Sequence, residues 1–115
     1  MVRIAIPIYN NRVSPVLDSC TRLLIIDVER NTEVGRRELF LENFPLHERF
    51  DQMKKAAIDV VICCAISDVL DGMLQATDIQ LLCGIVGDVD QVLEAFFCNK
   101  LDDSYFRMPG YIEKR

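Results

Sequence analysis

Several familiar signatures are missing from this chain of 115 residues. It has no Cys-x-x-Cys pair, so a zinc ribbon or a thioredoxin-like redox site lacks its usual sequence support. It has no Walker loop, no Gly-x-Gly-x-x-Gly and no Ser/His/Asp arrangement; its one histidine, His47, reads as a surface or capping residue. No apolar run approaches the ~18–20 residues that a membrane-spanning helix needs. The start, Met1-Val2-Arg3-Ile4-Ala5-Ile6-Pro7, lacks the basic, apolar and small-residue regions of a signal peptide and reads as a strand. The cytoplasm is the expected location, with no membrane partner. Basic residues are the minority, 13 Lys and Arg against 18 Asp and Glu, for a formal net charge of −5. That balance disfavours broad binding to nucleic acid or acidic membranes. It leaves room for a local basic spot from Arg3, Arg12 and Arg22 in the first strand–loop–strand unit.

What is present is ordinary globular composition, 50% hydrophobic and 27% charged. The expectation is one domain over residues 1–100 and a C-terminal tail over 101–115. The five cysteines are Cys20, Cys63, Cys64, Cys83 and Cys98. An odd number in a reducing compartment argues against a disulfide framework. Taken singly, each is most simply a small core residue.

Val2, Ile4, Ile6 and Ile8 alternate with the period of a strand. Tyr9 to Ser19 reads as a loop, and Arg22 to Val28 is a continuous apolar run suited to a central strand. After the polar turn at 29–32, Val34 to Phe40 suits an exposed edge. Asn43 and Pro45 mark a helix start, followed by Leu46, Phe50, Met53 and Ala57 at helical spacing. Asp59 to Cys64 and Ile79 to Cys83 read as short buried strands. Between them Ser67 can cap a helix using Val69, Leu70, Met73 and Leu74. Asp88 can cap another carrying Val89, Val92, Leu93, Phe96 and Phe97. The order is β-β-β-α-β-α-β-α, an α/β domain with a five-stranded mixed sheet and helices packed on it. Glu38, Glu42 and Glu48 read as a solvated face.

Strand direction sorts the cysteines. Ligands of open α/β sheets bind at the carboxyl ends of parallel strands. Cys63 and Cys64 end one such strand and Cys83 another. The loop after the first strand, and Cys20 at the start of the antiparallel second, reach the same edge. Cys98 is carried about 15 Å away along its helix and reads as a packing residue. Cys63 and Cys64 are adjacent and so point to opposite faces. Thiolates suit iron–sulfur clusters, copper(I) or zinc. Helices starting near Ser67 and Asp88 aim their N-termini at this edge, which favours anions and lowers thiol pKa values. Buried, incidental thiols remain the alternative.

The strings Ile4-Ala5-Ile6-Pro7, Asn11-Arg12-Val13-Ser14-Pro15-Val16-Leu17-Asp18 and Leu24-Ile25-Ile26-Asp27-Val28 resemble the dinitrogenase iron–molybdenum cofactor biosynthesis family. So do Asp59-Val60-Val61-Ile62-Cys63, Ala65-Ile66-Ser67 and Val92-Leu93-Glu94-Ala95. The tail, Leu101-Asp102-Asp103 and Phe106-Arg107-Met108-Pro109-Gly110, is similar to a bacterial branch of it. In that branch a Cys often follows the Gly, where this chain has Tyr111, and the position of Cys64 is commonly Gly. The resemblance implies a ribonuclease H-like fold and a non-enzymatic carrier. Its cargo would be an iron–sulfur or molybdenum–iron–sulfur cluster, or a precursor, and its partners cluster-assembly or acceptor proteins.

On that reading Asn11, Arg12, Val13, Ser14 and Cys20 would contact the cofactor. Cys20, Cys63, Cys64 and Cys83 would supply thiolates, and Arg12 and Ser14 would hold its anionic face. Nuclease activity is not expected, because the first strand carries no carboxylate and Asp27 lies at the far end of the second. The alternative is a cofactor-free interaction module or a thiol redox switch.

Overall fold

The alternation of Val2 to Ile8 builds β1 (Val2–Tyr9), the strand on which the rest assembles. In the computed structural model, which describes residues 1–100, six strands and three helices follow the chain. They are β1, β2 (Arg12–Val13), β3 (Arg22–Glu29), β4 (Thr32–Phe40), α1 (Leu46–Lys55), β5 (Val60–Ile62), α2 (Asp68–Gln75), β6 (Gln80–Leu82) and α3 (Val89–Phe97). The tail over 101–115, with its Arg-Met-Pro-Gly string and Tyr111, lies outside the described residues.

The main sheet order is β4-β3-β1-β5-β6, with β2 paired to β1. β3 is antiparallel to both β1 and β4, while β5 and β6 run parallel to β1. The sixth strand, β2, lies inside the segment expected to be all loop. Asn10 and Asn11 both take positive φ, 50 and 61°. They turn β1 back on itself with Tyr9 opposite Arg12, the two-residue turn that Asn tolerates. Arg30 and Asn31 repeat this geometry between β3 and β4 (φ 52 and 61°).

Both faces of the sheet are covered, which is why β3 reads as an unbroken apolar run. Ile4, Ile6, Leu24, Ile26, Val60 and Ile62 form one cluster with Val89, Val92, Leu93 and Ala95 of α3. Ala5, Leu23, Ile25, Val61 and Leu81 form the other, with Met53 of α1 and Leu70 and Leu74 of α2. Each fully buried Leu or Ile contributes about 1.5–3 kcal/mol.

Several local expectations shift. β5 and β6 are shorter than 59–64 and 79–83, because the chain leaves the ladder to meet the first loop. β4 begins at Thr32 rather than Val34. Its register slips between Asp27 and Val28, making Val34 the extra residue of a bulge that bends this edge strand. Ala57 falls past the end of α1 with φ 55° and is exposed, so Ala56 is buried in its place. Val69 is 64% exposed, since α2 turns Leu70 and Leu74, with Met73 beside them, toward the core. Cys98, expected to pack, is an exposed C-cap of α3, turned away from the stripe formed by Val92, Leu93 and Ala95. Arg3 leaves the basic spot altogether. It lies at the opposite end of β1, with its Nε 2.6 Å from Asp27 Oδ1 and its guanidinium on the Ala56 carbonyl. His47 is exposed, 3.5 Å from Asp51.

Candidate functional site

The parallel strands β1, β5 and β6 end at one edge, and the first loop crosses it. Val13 N–H donates to the Gly87 carbonyl at 3.0 Å, and Val89 N–H to that of Asn11 at 3.0 Å. Ala65 N–H donates to Pro15 O (3.0 Å), and Leu17 N–H returns a bond to Ala65 O (2.9 Å). The loop is thereby tied to the corner after β5 and to the corner after β6. Gly84 and Gly87 turn the second corner with φ 78 and 129°, values that residues with a Cβ avoid.

The helix starts are satisfied from within the protein. Ser67 caps α2, its hydroxyl accepting from Leu70 N–H at 3.1 Å. The same hydroxyl donates to Asp18, whose other carboxylate oxygen accepts from Ser67 N–H at 2.8 Å. Asp88 caps α3 through Asp90 N–H at 2.9 Å. Asp18 was singled out in the sequence only as part of the loop string, and its partner is remote along the chain.

The structure brings Cys20, Cys63, Cys64 and Cys83 to this edge, as strand direction predicts, but not to one shared opening. Cys20 (3% exposed) and Cys63 (0%) are inside the core under α1 and α2, and Cys83 packs half-buried against it. Cys64 is half-buried against the opposite core, under α3. Adjacent residues of an extended chain diverge in this way. Of the loop residues, Asn11 and Arg12 are exposed, whereas Val13 and Ser14 are buried.

The expected lowering of thiol pKa values does not occur at three of these positions. Burial pushes the Cys20 thiol up to about 11, with Asp18 adding to the rise and Arg49 opposing it. Burial raises Cys63 further, helped by Cys83, Cys64, Asp18 and Asp71. Cys64 is raised by burial and then by Cys83. Part of each helix start is already taken up by caps: Ser67 N–H by Asp18 and Leu70 N–H by Ser67 at α2, and Asp90 N–H by Asp88 at α3, two of these caps being carboxylates.

Sequence reasoning missed two further features. Arg49, on the inner face of α1, is 9% exposed. Its guanidinium donates to the carbonyls of Phe44 (2.7 Å), Glu42 (3.5 Å) and Cys20. An arginine at the spacing of Leu46, Phe50 and Met53 was the available signal. The second is an open cleft of about 230 Å³ lined by Ile8, Tyr9, Asn10, Asn11, Thr21 and Arg22. It offers amide, hydroxyl and guanidinium groups beside Tyr9, which is 66% exposed. Arg22 is held at its rim by Glu38 (3.6 Å) and by the ring of Phe40 (5.7 Å). Among the described residues, no three His, Cys, Asp or Glu side chains are gathered to hold a metal ion, and no helix is long and apolar enough to cross a membrane.

No family model matches the sequence, and no curated protein matches it. Solved structures do. The crystal structure of the protein PH0822 superimposes with a TM-score of 0.83 at 19% identity, over 90% of this chain and 96% of that one. A protein provisionally named a dinitrogenase, from Methanocaldococcus jannaschii, gives 0.75 at 19% identity, over 87% and 91%. A protein provisionally named NifB, from Thermotoga, gives 0.68 at 16% identity over the whole of both chains. At these identities the likeness establishes a common fold: this chain has the mixed α/β architecture of those proteins.

Proposed function

We propose that this protein is a small non-enzymatic binding protein of metal–sulfur cofactor assembly. It would receive an iron–sulfur or molybdenum–iron–sulfur cluster, or a precursor, at the strand-end edge of its sheet. The names of two structural neighbours point toward nitrogenase chemistry, as does the resemblance of the first loop. The sheet supports a ribonuclease H-like reading: among the five strands of its main order only β3 runs against the others.

The observation that carries the proposal is the meeting of four cysteines and the first loop at one edge. The folded donor set does not fit a resident cluster, since Cys20 and Cys63 are sealed in the core. The cluster is therefore read as cargo, met at the two half-buried thiols, Cys64 and Cys83, which flank the edge from either face and lie near enough for Cys83 to raise the Cys64 thiol. Asn11 and Arg12 would supply hydrogen bonds and positive charge to its anionic surface. Cluster-assembly or acceptor proteins would be the partners.

Anaerobic incubation with iron and sulfide tests this directly. Sulfur-to-iron charge-transfer absorbance should develop and should be largely lost in Cys64→Ser and Cys83→Ser. Absorbance that is absent, or indifferent to both substitutions, would count against the carrier and favour the cofactor-free interaction module.

A further inference from the structure

Cys63 and Cys83 are neighbours on adjacent strands. β5 and β6 are parallel with Ile62 opposite Leu82, and the next residue of each is a cysteine. Cys63 N–H donates to the Leu82 carbonyl at 2.9 Å, the bond that closes the Ile62–Leu82 pair, and the ladder ends there, one residue short of both cysteines. Both side chains lie on the α1–α2 face, Cys63 within that core and Cys83 against it. Paired strands run about 4.8 Å apart, and a disulfide needs Cα atoms roughly 4.4–6.8 Å apart. The two cysteines share a face and each directly follows a paired residue, which places them near the range that a disulfide spans. Cys64 lies close enough for Cys83 to raise its thiol, but it packs against the other face of the sheet.

We propose that Cys63 and Cys83 form a modification site, a dithiol that a two-electron oxidant closes to a disulfide joining β5 to β6 around α2. With hydrogen peroxide as oxidant, the half-buried Cys83 sulfur attacks one peroxide oxygen and the O–O bond breaks. Cys83 becomes a sulfenic acid, and hydroxide leaves and is protonated to water by the thiol proton. The Cys63 sulfur then attacks the Cys83 sulfur, the S–O bond breaks, and the oxygen leaves as a second water with the Cys63 proton. Two thiols lose two electrons and two protons, and one peroxide becomes two waters.

This step involves no metal, so it can be tested apart from cluster binding. Full-length protein, purified with reductant and chelator and then freed of both, is treated with equimolar hydrogen peroxide and digested without reduction. Mass spectrometry should find a Cys63–Cys83 linked peptide in the wild type and in Cys64→Ser, and should lose it in Cys83→Ser. Cys83 is only half-buried, so that variant should keep the wild-type circular dichroism spectrum; if it does not fold, Cys83→Ala replaces it. A Cys64–Cys83 link, a link through Cys20, or only over-oxidised Cys83 would overturn the proposal. A cluster that assembles while no disulfide forms would sink this inference and leave the carrier reading intact.

Discussion

The Asp18 carboxylate accepts hydrogen bonds from both the backbone N–H and the hydroxyl of Ser67, 49 residues along the chain. One side chain thus closes the first loop onto the start of α2. Hydrogen bonds to a charged group contribute about 1.5–3 kcal/mol each when partly buried. Asp18→Ala should therefore lower stability by about 2–4 kcal/mol. Ser67→Ala should cost about 1–3 kcal/mol, including loss of the cap. In urea unfolding the double variant should fall well short of the sum of the two. Additive losses would mean that the pair is not coupled.

Arg49 secures the segment around β3's entry in the same way, using carbonyl oxygens as acceptors. Its guanidinium reaches three of them in different directions, which an ammonium cannot reproduce. Arg49→Met should lose about 2–4 kcal/mol, because orphaned carbonyls each cost roughly 1–3. Arg49→Lys should recover only part of that. Full recovery by Lys would show that charge alone matters at this position.

Ionisation of buried thiols gives a signed pH dependence. The Cys20 thiol is raised from an ordinary 9.0 to about 11. Between those values the unfolded chain loses its proton and the folded one keeps it. The contribution of Cys20 is therefore complete below about pH 9 and is lost as pH rises to about 11, by roughly 2–3 kcal/mol. Urea midpoints across that range should fall more steeply for the wild type than for Cys20→Ala. Parallel slopes would refute the assignment.

Thiol accessibility should follow burial. Cys98 is exposed, Cys64 and Cys83 are half-buried, and Cys20 and Cys63 are buried. Brief iodoacetamide treatment of the native protein should label Cys98 first and Cys64 and Cys83 more slowly. Cys20 and Cys63 should label only on unfolding. Mass mapping of the labels provides the check, and early labelling of Cys63 would contradict the packing.

Local patterns carried much of the architecture. The alternation of β1, the apolar run of β3 and the caps Ser67 and Asp88 each follow from neighbours in sequence. Strand direction then placed four cysteines at one edge without any tertiary contact being known. The depth of those thiols was not legible, because a position at a strand end says nothing about which helix will cover it. The contacts of Asp18 and Arg49 join segments distant along the chain, and no periodicity encodes such pairs. β2 is a different case: Asn10-Asn11 was a readable hairpin turn, but only two residues pair beyond it.

The first loop has a length that the rest of the protein dictates. Its backbone bonds to Ala65, Gly87 and Val89 fall within residues 11–17, so one added residue would put several of them out of step together. The turn at Arg30 and Asn31, by contrast, has among the described residues one side-chain bond to the body, from Asn31 Nδ2 to Phe97 O at 2.9 Å. A tag or reporter spliced into this protein belongs at the second turn, and the first admits none.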